Sequence, residues 1–140
     1  MRLTTFMLAD HASVREGTLG VLGGAINHLV RSEFPAKLHA HLAAVVVATP
    51  QEVEAGTLES AFRFWCQEAS DENSVFEGQG RIQAPLVGGR TSAFPMVFDL
   101  TEIELPRAAT YELFLEIDGE IAGQIEFYVD LNEGDFAGEE

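Results

Sequence analysis

The chain has 140 residues, of which 46% are hydrophobic, and it carries a formal net charge of −15 at pH 7. This length suits one domain, and the apolar content favours a folded core over a disordered chain. A protein with this negative charge repels nucleic-acid backbones and anionic membranes. We therefore expect neither of them as a partner. Thirteen acidic residues and only one basic residue lie between positions 99 and 140. That acidic segment either keeps the protein soluble or docks a basic partner.

The cysteine content and the N-terminus predict the compartment. Cys66 is the only cysteine, so no internal disulfide can form. The first ten residues show neither a long apolar run nor a clear cleavage site, so a secretory signal is not expected. No apolar run reaches the ~18–20 residues that span a bilayer. We therefore predict a cytoplasmic protein, and no motif indicates a cofactor.

The first third of the chain alternates strand and turn signals. Residues 3–9 predict a strand, and residues 10–17 predict a turn or a short helical piece. Residues 18–26 resume a strand pattern that contains three glycines, which are typical of bulges or close backbone approach. Residues 26–30 extend that strand.

Residues 38–49 are apolar on both alternating faces. The flanking prolines and the valine run favour a strand over a helix. One face includes His39, His41, Val45 and Val47. A strand with two apolar faces must be covered on both of them. We therefore expect a partner subunit, another sheet or a loop over this face.

Further strands are predicted over residues 58–69, 74–83 and 92–105. In the first of them, Phe62 and Phe64 alternate with Arg63 and Trp65, so the latter pair faces away from the core. Arg and Trp are enriched in interface hot spots, which makes this pair a candidate anchor. Pro95 cannot donate a ladder hydrogen bond and therefore indicates an edge strand or a bulge.

The clearest element is a β-hairpin over residues 110–130. Alternating apolar residues flank Asp118-Gly119, a dipeptide preferred in type I′ turns because both central residues need φ > 0. An isolated hairpin is marginal in water, so its apolar face must pack on the rest of the chain. Phe114 and Tyr128 lie on its polar faces and are predicted to face one another as an aromatic patch.

About eight strands without a long helix predict an all-β fold, a single antiparallel β-sandwich of the immunoglobulin-like type. The sandwich is assigned to residues 1–130, and residues 131–140 are predicted to be a frayed acidic tail. Tyr111 follows Pro106 at the position where sandwich domains often place a corner tyrosine. Its hydroxyl is then expected to bond to nearby backbone.

Two segments resemble a family of small, uncharacterised bacterial proteins. Residues 8–10, 14–19 and 22–24 are similar to the family opening A-D-x-x-x-V-x-x-G-K-L-x-x-L-G-G, although Thr18 replaces the usual basic residue. Its closing P-G-x-Y-E-L-x-L-x-I-D-G is similar to Pro106, residues 111–113, Leu115 and residues 117–119, although no glycine follows Pro106. The resemblance implies the sandwich fold and a bacterial cytoplasmic origin. It implies no activity and no catalytic residue, because the family is of unknown function.

His39 and His41 are the weak candidates for a metal site. Their spacing places two imidazoles on one face of a strand, as some metal sites require, but it identifies no third ligand. His11 or His28 supplies one only if folding brings it near. Cys66 follows two phenylalanines on the apolar face, so we expect an inert buried thiol rather than a nucleophile.

The leading hypothesis is a non-enzymatic module that binds another protein, with self-association into a homodimer as its least demanding form. The candidate contacts are apolar or aromatic residues predicted to point outward, with one arginine: Arg63, Trp65, Phe114, Tyr128, Val45 and Val47. The alternative is a small-molecule or metal-binding sandwich, which includes a hydrolase-type enzyme, that uses His39 and His41.

Overall fold

The computed structural model describes residues 1–51, 56–86 and 89–132, with backbone only for residues 56–58 and 84–86. Of the tail predicted over residues 131–140, residues 133–140 lie outside the described residues, whereas Leu131 belongs to the last strand. The described part of the chain is all-β, as predicted, but it forms twelve strands rather than about eight. No helix in it is long and apolar enough to span a membrane. The strands are β1 (Arg2–Ala9), β2 (His11–Arg15), β3 (Thr18–Leu22), β4 (His28–Arg31), β5 (Ala36–Lys37), β6 (His41–Ala48), β7 (Gly56–Glu68), β8 (Ser74–Leu86), β9 (Ser92–Asp99), β10 (Glu104–Leu105), β11 (Ala109–Ile117) and β12 (Glu120–Leu131).

Two larger sheets build the domain. One has the order β1-β6-β9, and the other has the order β4-β12-β11-β7-β8. Two-stranded sheets, β2-β3 and β5-β10, complete the fold. The prediction of purely antiparallel pairing is wrong at one place, because β4 pairs with β12 in parallel. The connection from β4 to β12 spans most of the chain, so no local sequence signal encodes the direction of this pair.

The main core lies between the inward faces of the two larger sheets. Leu42 and Val46 of β6 share one buried cluster with Leu113 and Leu115 of β11. The ring of Phe98 on β9 bridges the sheets, with its centroid 5.3 Å from that of Phe62 and 4.7 Å from that of Phe64. Burial of these apolar side chains supplies the main stabilisation of the fold.

The β2-β3 hairpin covers the second apolar face of β6. Ala43 of β6 packs with Ala12 of β2 in a smaller cluster, and Leu19 and Val21 of β3 pack against it. The expected cover is therefore another sheet of the same chain. Of the turn or short helical piece predicted over residues 10–17, the turn forms at residues 16 and 17, whereas residues 11–15 are a strand. Glu16 and Gly17 both have positive φ, as a tight two-residue hairpin turn requires.

The β11-β12 hairpin forms as predicted, with φ of 50° at Asp118 and 87° at Gly119. A β-bulge then shifts the register, because Leu115 opposes Gly123 whereas Glu116 opposes Ile121. The bulge turns Ile121 outward, and its side chain is 59% exposed.

Two further predictions concern single residues. Pro95 lies on β9, which is an edge strand of its sheet, as predicted. The hydroxyl of Tyr111 donates a hydrogen bond to the carbonyl oxygen of Arg107 at 2.5 Å, so the predicted tyrosine corner is confirmed. Arg107 in turn forms an ion pair with the buried Glu68, with Nη2 2.6 Å from Oε2.

Candidate protein-interaction surface

Trp65 and Phe114 stack on the face of the five-stranded sheet that points away from the core. They are direct register partners on β7 and β11. Their ring centroids are 5.1 Å apart, and the ring planes differ by 17°. Their chain neighbours Phe64, Leu113 and Leu115 point into the core, so strand alternation sends the two aromatic rings outward. Both rings are half-buried.

Arg63 extends this stack. Its guanidinium carbon lies 4.4 Å from the centroid of the Trp65 ring, within cation–π range. Its Nη2 atom lies 3.6 Å from Oε1 of Glu77 on β8. We call Arg63, Trp65 and Phe114 the aromatic platform. The platform presents an apolar surface that already holds one guanidinium.

Carboxylates surround the platform. Glu77 opposes Trp65 on β8, and Glu112 and Glu116 flank Phe114 along β11. Glu126 of β12 opposes Glu112. We call these four residues the acidic rim. Carboxylates placed around an aromatic surface favour a cationic ligand over an anionic one.

Tyr128 lies apart from the platform. It opposes Thr110, whereas Phe114 opposes Gln124, so the predicted Phe114–Tyr128 pair is wrong. The two rings lie at unequal distances from the hairpin turn, and a two-residue turn pairs residues at nearly equal distances. The Tyr128 hydroxyl donates to Oε1 of Glu126 at 2.7 Å, and this bond raises the pKa of Tyr128. Tyr128 is 43% exposed and extends the same outer face.

Val45 and Val47 lie on the other large sheet, so they are not part of the platform. Val47 is only 8% exposed, and Val45 is half-buried. The two valines therefore offer little surface to a partner.

His39 and His41 do not share a strand face as predicted. β6 begins at His41, and His39 precedes it with φ of 53°. The structure brings His11 to His41 instead, with ring centroids 4.9 Å apart, and Nε2 of His41 lies 3.9 Å from Oδ1 of Asp99. Hydrogen bonds from Thr101 hold the pKa of Asp99 below its usual value. Within residues 1–51, 56–86 and 89–132, no group of three or more His, Cys, Asp or Glu is arranged to hold a metal ion.

Cys66 is fully buried in the main core. Burial raises the pKa of its thiol to about 12, so the thiol is protonated at neutral pH. This environment fits an inert core residue and opposes a nucleophilic role.

None of the four residues of the acidic rim, which include Glu77, was predicted from the sequence as a site residue. Glu77 lies on β8, whose alternation is weak because glycines occupy positions 78 and 80. Pairing β8 with β7 as sequential antiparallel neighbours is the signal that places Glu77 beside Trp65.

Comparisons with known proteins give one family. A family model described as a family of unknown function, DUF6941, matches residues 4–130. No curated protein matches the sequence. Among solved structures, a β-glucosidase from Listeria innocua in complex with isofagomine is similar, with 12% identity and a TM-score of 0.43. That similarity covers 90% of this chain and 16% of the β-glucosidase chain, and it says nothing about the activity of this chain.

Proposed function

We propose the following function for this chain, which belongs to DUF6941, a family of unknown function. It is a non-enzymatic domain of the immunoglobulin-like β-sandwich type that binds another protein through the aromatic platform. The observation that carries the proposal is the stack of Arg63, Trp65 and Phe114 on the outer face of the sheet. Trp and Arg dominate the energetic centres of protein interfaces.

The partner is a protein segment rich in Lys or Arg. The acidic rim attracts such a segment and repels an acidic one, and the net charge of −15 steers its approach from a distance. The Trp65 ring face accepts a cation, since the guanidinium of Arg63 already lies over it. A cationic side chain of the partner that reaches Phe114 gains the same kind of contact.

The remaining chemistry of the chain supports a non-enzymatic role in a reducing compartment. The thiol of Cys66 is buried and protonated. A lone free cysteine fits a bacterial cytoplasmic protein, in which no structural disulfide is needed.

The test is affinity enrichment from a lysate of the source organism, with wild-type protein and the variants Trp65→Ala and Phe114→Ala as baits. Leu22→Ala is the matched control, because Leu22 is an exposed apolar residue on β3, away from the five-stranded sheet. Each partner is then purified and its affinity is measured.

We expect a basic partner whose affinity falls by about 30-fold or more in the Trp65 variant, as for an interface hot spot. The Leu22 variant is expected to bind like the wild type. Partners that bind all four baits equally would contradict the proposal.

A further inference from the structure

Within the described part of the chain, no strand pairs with the outer edge of β8 in the five-stranded sheet. Among the described strands β8 pairs with β7 alone, and its uninterrupted run from Phe76 to Ala84 lies between a β-bulge at Val75 and Pro85. An open edge presents a row of backbone donors and acceptors to a further strand. Natural proteins usually block a long edge with proline, a bulge or a covering segment.

On the other side of the domain, two backbone hydrogen bonds link the large sheets. The amide of Ile26 donates to the carbonyl of Leu8 on β1 at 2.9 Å, and the amide of Tyr128 on β12 donates to the carbonyl of Asn27 at 2.8 Å. Residues 26 and 27 thus bridge the two large sheets. On the open side, Pro95 interrupts the edge of β9, whereas residues 76–82 of β8 contain no proline.

We propose that β8 pairs with β8 of a second copy of this chain, antiparallel, about a two-fold axis at Gln79. This register places Glu77 of each copy opposite Arg81 of the other. It also places Gly78 opposite Gly80, and Phe76 opposite Ile82. Each of these pairs matches in charge, size or polarity, and the two-fold axis forms each of them twice.

The faces of the strand agree with this register. Glu77 and Arg81 oppose Trp65 and Ala61 of β7, so they lie on the outer face. Phe76 and Ile82 lie on the inner face, where they pack with the main core. In the joined sheet the charged pairs therefore stay at the solvent side, and the apolar pairs extend the core face.

Only this register pairs the opposite charges. With the axis at Gly78, Glu77 opposes Gln79 and Phe76 opposes Gly80. With the axis at Gly80, Arg81 opposes Gln79 and Ile82 opposes Gly78. Axes between residues place outward side chains opposite inward ones, which a flat continuation of the sheet does not allow. Charge complementarity thus favours a second copy of this chain as the partner of β8, and it selects the register of the pairing.

The local charge also sets β8 apart from the rest of the molecule. Two copies with a net charge of −15 each repel one another over most of their surface. Residues 76–82 carry one acid and one base and are neutral. Glu77 already lies 3.6 Å from Arg63, so pairing with Arg81 of the second copy places its carboxylate between two guanidinium groups.

Phenylalanine rings of the neighbouring strand β7 occupy the space beside the two glycines of this edge. A Cβ atom on Gly78 would lie 2.5 Å from Cζ of Phe64, and one on Gly80 would lie 2.7 Å from Cζ of Phe62. These rings support the inner side of the edge, where side chains are missing. Pairing Gly78 with Gly80 of the second copy extends this packing across the axis.

Dimerisation unites the platforms of both copies on one continuous sheet face. β7 is the neighbour of β8, so only the two β8 strands separate Trp65 of one copy from Trp65 of the other. The pairing does not require the platform to bind anything. It therefore stands or falls separately from the proposed function.

The test uses sedimentation velocity on untagged protein at micromolar concentration. We expect the wild type to form a dimer and the variants Glu77→Arg and Arg81→Glu to be monomers. Their dimer dissociation constants should rise by about tenfold or more, because like charges meet twice at the axis. Glu120→Arg and Arg2→Glu are the matched controls, since they make the same charge changes at exposed sites outside β8.

The decisive arm mixes the two single variants in equal amounts. One variant then presents two cations and the other two carboxylates, so a heterodimer with both charge pairs should form. The double variant Glu77→Arg/Arg81→Glu restores both opposite-charge pairs and should dimerise more tightly than either single variant. Circular dichroism confirms that each variant is folded. A monomeric wild type, single variants that dimerise as well as the controls, or a mixture that stays monomeric overturns the proposal.

Discussion

At the scale of single residues, Tyr111 fixes the start of β11. Its ring is fully buried and stacks on Phe127 with a centroid separation of 5.4 Å. Its hydroxyl satisfies the carbonyl of Arg107, and the side chain of Arg107 neutralises the buried Glu68. The side chain of Tyr111 thus packs in the core and also fixes the backbone of the corner that leads into the hairpin.

Replacing Tyr111 with phenylalanine should lower the free energy of unfolding by on the order of 1 kcal/mol, the net value of such a hydrogen bond. Urea denaturation measures the change. Tyr128→Phe is the matched control, because the hydroxyl of Tyr128 bonds to the exposed carboxylate of Glu126, and it should change stability little. Equal effects of the two substitutions would show that the hydrogen bond of Tyr111 stabilises the fold no more than an exposed hydrogen bond does.

Because of Cys66, the free energy of unfolding should fall as the pH rises in the alkaline range. Burial raises the pKa of the Cys66 thiol from an ordinary value of 9.0 to about 12 in the folded state, so the unfolded thiol ionises first. The stabilising contribution is complete below pH 9.0 and is lost as pH rises toward about 12.

The measurement is the free energy of unfolding of the wild type and of Cys66→Ala at pH 8 and pH 10. The wild type should lose about 1 kcal/mol more than the variant between these values. The alanine variant provides the control for every other group that titrates in that range. Parallel pH profiles for both proteins would contradict a raised thiol pKa.

At the scale of elements, the β11-β12 hairpin depends on a close approach between β1 and β12. A Cβ atom on Gly123 would collide with the side chain of Leu3 and would lie 3.2 Å from Cδ2 of Phe6. Glycine at this position lets the two sheets pack directly over the bulge. The bulge and the glycine therefore act together to seat the hairpin on the first strand.

Gly123→Ala should destabilise the fold by about 1–3 kcal/mol, as overpacking of a filled core usually does. Thermal or urea denaturation measures this effect. Gly20→Ala is the matched control in β3, since its Cβ atom would have only an ordinary 3.6 Å contact with Ser13. If Gly123→Ala proves as stable as the control, the packing between β1 and β12 is looser than the distances indicate.

The elements that the sequence predicts well are those with local signals. Asp118-Gly119 defines the long hairpin, and Pro95 marks an edge strand correctly. Glu16-Gly17 carries a comparable turn signal, but the short flanking strands hide the β2-β3 hairpin. The parallel pair of β4 and β12 has no local signal, because its strands meet only in the folded chain.

The candidate site was predictable in part for the same reason. Alternation along each strand places Trp65 and Phe114 on outer faces. Their stacking depends on β7 and β11 being neighbours, and one sequence does not give this strand order. The predicted histidine pair failed because His39 adopts a positive φ and leaves the strand.

At the scale of the whole molecule, charge separates two kinds of surface. The outer face of the five-stranded sheet combines the aromatic platform with the acidic rim and suits a basic partner. The β8 edge is locally neutral and suits a second copy. A dimer formed through β8 presents two platforms to one partner, and simultaneous engagement of both strengthens binding through effective concentration.

Fluorescence tests most directly whether the aromatic platform binds a basic segment, because Trp65 is the only tryptophan and lies within the platform. An arginine-rich peptide is titrated into the wild type and into Phe114→Ala, which keeps both the tryptophan and the net charge. We expect a saturable change in Trp65 emission that is much weaker in the variant, and no such change with a glutamate-rich peptide. Identical titrations of the wild type and the variant would mean that the peptide binds the acidic surface in general, and that the platform is not the docking site.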